Sequence, residues 1–254
     1  MDRKPDRPRR FSVRGPAAVA LENALSLFFP PICLYCEAAR SPHSRWFCAA
    51  CVEKLRRNHE ARNPCPRCGV NRHFHKCACE IVWDYPFESI YSFYEFDETV
   101  QKIMHSIKYD GRSRLAFDLG AAIGANLPPA YWDDVDLVTA VPLHWLKRLK
   151  RGYNQSDHVC KGLVSAAKRP IAFNRDVLKR SAYTRTQTKL DRQQRQHNVE
   201  KAFAVPQAQR PVVRNARILL VDDVITTGAT TAACARVLRD AGCASVKVLS
   251  LARD

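Results

Sequence analysis

Near its C-terminus the chain reads ILLVDDVITTGAT, residues 218–230, and few folds accommodate that order of residues. Residues 217–221, RILLV, have the pattern of a short buried strand. Two carboxylates follow, and then a hydroxyl-rich turn leads into the helical ACARVLRDAG. Strand, acidic pair, glycine turn and helix together predict an α/β domain with a ligand at the strand end. The N–H groups of residues 226–230 can point at an anionic oxygen cluster, helped by the helix start, while Thr227 and Thr230 can donate hydroxyl bonds. Gly228 lets the backbone come close. Ionised Asp222 and Asp223 can only accept, so they suit sugar hydroxyls or indirect positioning of Mg²⁺. The plainer alternative is an ordinary strand-to-helix connection in which the aspartates cap the helix. Receiver-like or nucleotide-binding readings find no support, because the chain contains neither G-x4-G-K-[ST] nor G-x-G-x-x-G.

Eight of the 11 cysteines fall between Cys33 and Cys79. They form two clusters, Cys33-x2-Cys36-x11-Cys48-x2-Cys51 and Cys65-x2-Cys68-x8-Cys77-x-Cys79. Paired sulfurs on tight turns can clasp one tetrahedral Zn²⁺ and replace a core too small to fold alone. One or two structural zinc ions are expected. The one-residue gap at Cys77 and Cys79 closes a tetrahedron less comfortably, and the alternative for the module is buried free thiols.

Elsewhere, residues 1–10 read as a disordered basic arm, and residues 11–31 as a short helix (19–29) and linker stopped by Pro30 and Pro31. The double zinc ribbon is expected over 32–80 and the α/β domain over 81–254. Within that domain the pattern predicts a strand at 91–96, helices at 100–107 and 114–123, and a strand at 136–141. A basic turn, HWLKRLKRGYNQ, follows, then a helix at 156–165 and a final strand at 246–249.

Four segments in one order resemble the ComF family, competence-associated relatives of type I phosphoribosyltransferases. They are the cysteine module ahead of IKYDG, the stretch VPLHWLKRLKRGYNQ, the run from Arg180 through Thr184, Gln187, Leu190, Arg195 and Asn198 to Phe203, and LVDDVITTGAT. The resemblance implies a type I phosphoribosyltransferase fold, a mostly parallel sheet flanked by helices, with a small N-terminal zinc-ribbon module. It further implies ribose binding by Asp222 and Asp223, 5′-phosphate binding by Thr226, Thr227, Gly228, Ala229 and Thr230, and pyrophosphate binding by the turn holding Arg148, Arg151 and Gly152. Residues 183–198 would be a mobile flap, with Arg195 acting at the reaction centre. The implied reaction transfers the phosphoribosyl group of 5-phosphoribosyl 1-pyrophosphate, with Mg²⁺, to an unidentified nitrogenous acceptor in a setting of DNA uptake. Thr226 stands where some purine-specific relatives carry an acidic residue. The alternatives are a non-catalytic competence accessory that binds single-stranded DNA or DNA-uptake proteins, and a sensor of the donor.

Charge agrees with an anionic ligand. There are 41 Lys+Arg against 25 Asp+Glu, a formal +16. Two zinc tetrathiolates, each of charge −2, would lower +16 only to +12. No run approaches the roughly 20 apolar residues of a membrane span, and no signal pattern opens the chain, so a cytoplasmic location without a membrane span is expected.

Overall fold

A computed structural model of the chain describes residues 31–41, 44–77, 79, 85–180 and 202–254. The expected helix at 19–29, the basic arm, the flap and Arg195 lie outside the described residues. The chain separates into two units, Met1–Glu53 and Lys54–Asp254. Helix α1, Ala49–Glu60, begins in the first and ends in the second.

Parallel pairing organises the larger unit. Strands β1 (Ser89–Glu95), β2 (Leu137–Ala140), β3 (Ala172–Phe173), β6 (Arg217–Ile225) and β7 (Ser245–Arg253) form one sheet in the order β1-β7-β6-β2-β3, every pair parallel. A separate antiparallel pair joins β4 (Lys179–Arg180) to β5 (Phe203–Ala204). Strands covered on both faces read as continuous apolar runs, and Ile218, Leu219, Leu220 and Val221 of β6 are all buried, as are Val246, Val248 and Leu249 of β7. β6 runs past the predicted end at Val221, because Val224 and Ile225 still pair with Ala252 and Arg253; both aspartates therefore belong to the strand.

Helices cover the sheet. In α2, Glu98–Tyr109, the positions Val100, Ile103, Met104 and Ile107 repeat at helical spacing and are buried, while Asp97 caps the start by accepting from Val100 N at 2.8 Å. Helix α3, Ser113–Asn126, and a short α4, Pro129–Asp133, lead to β2. The basic stretch expected to be a turn is instead helix α5, Trp145–Arg151. His144 Nδ1 caps it by accepting from Leu146 N at 3.2 Å, and Gly152 ends it. Helix α6, Gln155–Ala166, packs against α3 with backbones in contact: a Cβ on Gly124 would lie 2.7 Å from Leu163 O, and one on Gly162 would strike Phe117 O. A one-turn α7, Arg210–Val213, precedes β6, and α8, Ala229–Asp240, links β6 to β7. Among the described residues, no helix is long and apolar enough to cross a membrane.

From β2 the chain travels through α5 and α6 to β3 on one side, whereas from β6 it travels through α8 to β7 on the other. The crevice beyond the C-terminal ends of β2 and β6 is therefore a topological switch point, where open α/β sheets bind ligands.

Candidate functional site

The carboxylates stand at this switch point. Val141 N donates to Val221 O at 2.9 Å, so the loop after β2 begins beside the residue that precedes Asp222. Each aspartate is anchored by the amide that follows it. Asp223 N donates to Asp222 Oδ1 at 2.8 Å, and Val224 N to Asp223 Oδ1 at 2.7 Å. Asp223 Oδ2 also pairs with Lys108 Nζ at 3.2 Å. Burial, with the charge of Asp223 added, pushes the Asp222 carboxyl up to about 8, against the opposing effect of the nearby Ser156 hydroxyl.

Thr226 and Thr227 are exposed and lead to Gly228, whose φ of +77° admits glycine readily and turns the chain into α8. Thr231 Oγ1 donates to Gly228 O at 2.8 Å and closes the turn. Ala229 N lies 3.4 Å from Thr227 Oγ1, and Ala232 N makes the helical bond to Gly228 O. A helix start leaves its first amides without carbonyl partners, so residues 229–231 supply N–H groups beside the acidic pair.

On the β2 side lies a cavity of about 220 Å³. Arg148, Arg175, Lys179 and Arg180 line it, together with Trp145, Asn154, Asp157 and Asp176. Arg175 Nε reaches Asp157 Oδ2 at 3.7 Å, and Asn154 Nδ2 bonds Val141 O at 3.0 Å and Asp157 Oδ1 at 3.1 Å. Burial raises Asp157 against the opposing charge of Arg148, and burial likewise lowers Arg180. Four cations gathered around one cavity favour an anionic ligand, whose charge offsets the cost of burying them. Asn154 lines it and bonds Val141 O, while Val141 N bonds the carbonyl of Val221, the residue before Asp222, so the cavity and the acidic pair adjoin.

The predicted residues thus divide. Asp222, Asp223, Gly228 and their neighbouring threonines share one strand end, and Arg148 lines the adjoining cavity. Arg151 is engaged elsewhere: Nη1 bonds Gln155 Oε1 at 3.2 Å, and its guanidinium lies 5.2 Å above the Tyr109 ring. Gly152 is the left-handed cap of α5. Sequence reasoning missed Lys108, Ser156 and Arg175. Of these, only Lys108 carried a signal, as part of IKYDG.

The two cysteine sets are built on one repeated knuckle. Cys33 N bonds Ala38 O at 2.8 Å and Glu37 N bonds Cys33 O at 3.0 Å; Cys65 N bonds Val70 O at 2.8 Å and Gly69 N bonds Cys65 O at 2.9 Å. Bridges Ile32 to Ala39 and Pro64 to Asn71 close the two loops in the same way. Within each set the four sulfurs lie within 4.8 Å of one another, and Cys36 and Cys48 are 3.6 Å apart. A zinc tetrathiolate with bonds of about 2.3 Å spaces its sulfurs by roughly 3.8 Å, so both donor sets fit the ion, including the set ending Cys77-x-Cys79. Burial would raise Cys33, but amide hydrogen bonds, first from Cys36, bring it down to about 6; Cys65 is likewise brought down to about 6 by the Cys68 amide against its burial. Burial instead raises Cys51 and Cys68.

The second knuckle is bonded to the sheet. Ile90 N donates to Arg67 O at 2.6 Å and Arg253 Nη1 to Cys68 O at 2.7 Å. Gly69, at φ +71°, sits so close that a Cβ would lie 2.8 Å from Ile90 O.

A phosphoribosyl transferase domain model matches residues 152–254. The chain is 27% identical over 240 residues to the DNA utilization protein YhgH of Salmonella typhimurium, covering 89% of this chain and 99% of that one. Competence protein F of Haemophilus influenzae is 34% identical over 118 residues, 46% of this chain and 50% of its own. Glutamine phosphoribosylpyrophosphate amidotransferase from B. subtilis, solved with ADP and GMP, aligns at 21% identity and a TM-score of 0.40, over 59% of this chain and only 30% of that enzyme. The parallel sheet with flanking helices is the type I phosphoribosyltransferase fold, preceded by a cysteine-rich module with two four-cysteine clusters.

Proposed function

We propose that the chain binds 5-phosphoribosyl 1-pyrophosphate at the switch point and transfers its phosphoribosyl group to a nitrogenous acceptor, in a process tied to DNA use. The observation that carries this reading is the adjacency of an acidic pair, a glycine turn opening a helix and a cation-lined cavity, joined through Val141 and Asn154. In this arrangement the N–H groups of the 226–230 turn hold the 5′-phosphate, and Asp222 and Asp223 accept from the ribose hydroxyls. Arg148, Arg175, Lys179 and Arg180 receive the pyrophosphate and stabilise the charge it gains on leaving C1. The bond from C1 to the pyrophosphate oxygen breaks with its electron pair departing on that oxygen; the acceptor nitrogen, its proton already given up to solvent, forms the new bond to C1. The acidic pair fits a hard cation carried on the pyrophosphate, and Mg²⁺ there would neutralise leaving-group charge. Thr226 cannot take the acceptor's proton, so an acceptor that is anionic before binding suits the site best. Zinc in the two cysteine sets would be structural, since four thiolates close its coordination.

Titration calorimetry with donor and Mg²⁺, run beside a pyrophosphate-release assay over a panel of bases, tests the reading. Donor binding and turnover that both vanish in Asp222→Asn/Asp223→Asn are expected. Donor binding without product from any base favours a sensor, and absence of donor binding sinks the proposal.

A second reading has its own observation. Phe74 is 72% exposed among Arg72, His73, His75 and Lys76 on the loop of the second knuckle, a composition that suits stacking on single-stranded DNA. Affinity for an oligonucleotide that falls steeply with salt and drops in Phe74→Ala supports it; salt-insensitive binding removes it.

A further inference from the structure

IKYDG and RGYNQ are distant in sequence, and the structure joins them. Tyr153 OH donates to Ile107 O, and Arg151 lies 5.2 Å over the Tyr109 ring. The residues on either side of Lys108 are therefore clamped to the segment between α5 and α6. Ser106 Oγ donates to Asp110 Oδ2 at 2.8 Å, while Ile103, Met104 and Ile107 are buried beneath the same helical turn. Held this way, Lys108 reaches Asp223 Oδ2 at 3.2 Å, with side chains only 24% and 17% exposed.

We infer that Lys108 is a positioning residue for the sugar: it fixes the Asp223 carboxylate for the ribose hydroxyls and has no part in holding the pyrophosphate. This role rests on the function proposed above. Asp223 Oδ1 takes the amide of the next residue, which travels with the strand, whereas Lys108 ties Oδ2 to a different element. Two anchors on two elements define the carboxylate plane. One anchor leaves it free to turn about its side-chain bonds, and the geometry needed to accept from a hydroxyl is lost for much of the time. The cations that line the neighbouring cavity do not include Lys108, so pyrophosphate has no reason to sense its removal.

Calorimetry on the full zinc-loaded chain with Mg²⁺, using 5-phosphoribosyl 1-pyrophosphate, ribose 5-phosphate and inorganic pyrophosphate as separate probes, tests this. Lys108→Met is expected to weaken both ribose probes by about tenfold or more and to leave pyrophosphate unchanged, with Lys108→Arg restoring most of the loss. In Asp223→Asn, adding Lys108→Met should cost nothing further, because the lysine acts through that carboxylate. Thermal melts accompany each variant, and Lys108→Gln replaces the methionine if that variant melts early. Equal losses for all three probes, or undiminished ribose binding by a chain that binds donor, overturn the role of Lys108 alone. Failure of the unaltered chain to bind donor overturns the function itself and this role with it.

Discussion

Replacing Asp222 by Asn should make the protein more stable at alkaline pH while destroying its site. The raised Asp222 carboxyl, at about 8, means that the folded chain holds a proton which an unfolded aspartate, near 3.9, has already released. A carboxyl raised on folding stabilises fully below its unfolded value, and that contribution is lost as pH rises through its folded value. Between pH 6 and 8 the folded state's excess falls from about one proton to about half of one, so unfolding free energy falls by up to about 1.4 kcal/mol per pH unit, roughly 2 kcal/mol across the interval. For a unit of this size that is a drop of roughly 4–8 °C in melting temperature. Asn cannot carry the proton, keeps a carbonyl for the Asp223 amide, and should remove this part of the slope. Urea titrations of both proteins at pH 6, 7 and 8, with zinc present, isolate the effect because every other titrating group is common to the pair. Parallel stability profiles would refute the reasoning. The same proton opposes ligands that need an anionic pair, so donor affinity of the unaltered chain should rise over this interval.

Metal analysis of the purified chain should find about two zinc atoms, released with uptake of protons by the thiols; one atom, with Cys77→Ser unchanged in metal content, would confine zinc to the first set. Cys68→Ser should also lower the melting temperature of the sheet-bearing unit, since Cys68 O holds Arg253 of β7, and an unaltered melt would show the knuckle to be energetically separate. Gly162→Val should cost about 3 kcal/mol or more, read by chemical denaturation, because its side chain meets the Phe117 carbonyl of α3 with no room to turn aside. Arg180→Ala and Arg148→Ala should each weaken pyrophosphate binding by about tenfold, with a loss that shrinks at high salt; unchanged affinity would place pyrophosphate outside the cavity.

What could be read from the sequence was whatever chemistry is local in the chain. Asp222, Asp223 and the threonine turn lie on one strand and its exit, so their order alone reports their neighbourhood, and each cysteine knuckle is likewise complete within a few residues. α5 was illegible for a physical reason. Seven residues, four of them basic, show no buried face, and the helix is set instead by the His144 cap and the Gly152 stop. The two-residue strands β3, β4 and β5 are too short to carry a period. Lys108, Ser156 and Arg175 were missed because each meets its aspartate only after the sheet has been ordered, with β6 set between β2 and β7. Arg151 shows the converse. Its place in a basic run suggested an anion, and in the structure its guanidinium also lies over the Tyr109 ring and bonds Gln155 Oε1, contacts the run itself does not announce. A cation's position in sequence reports the charge available to a site; which anion it meets is decided by the elements packed on either side.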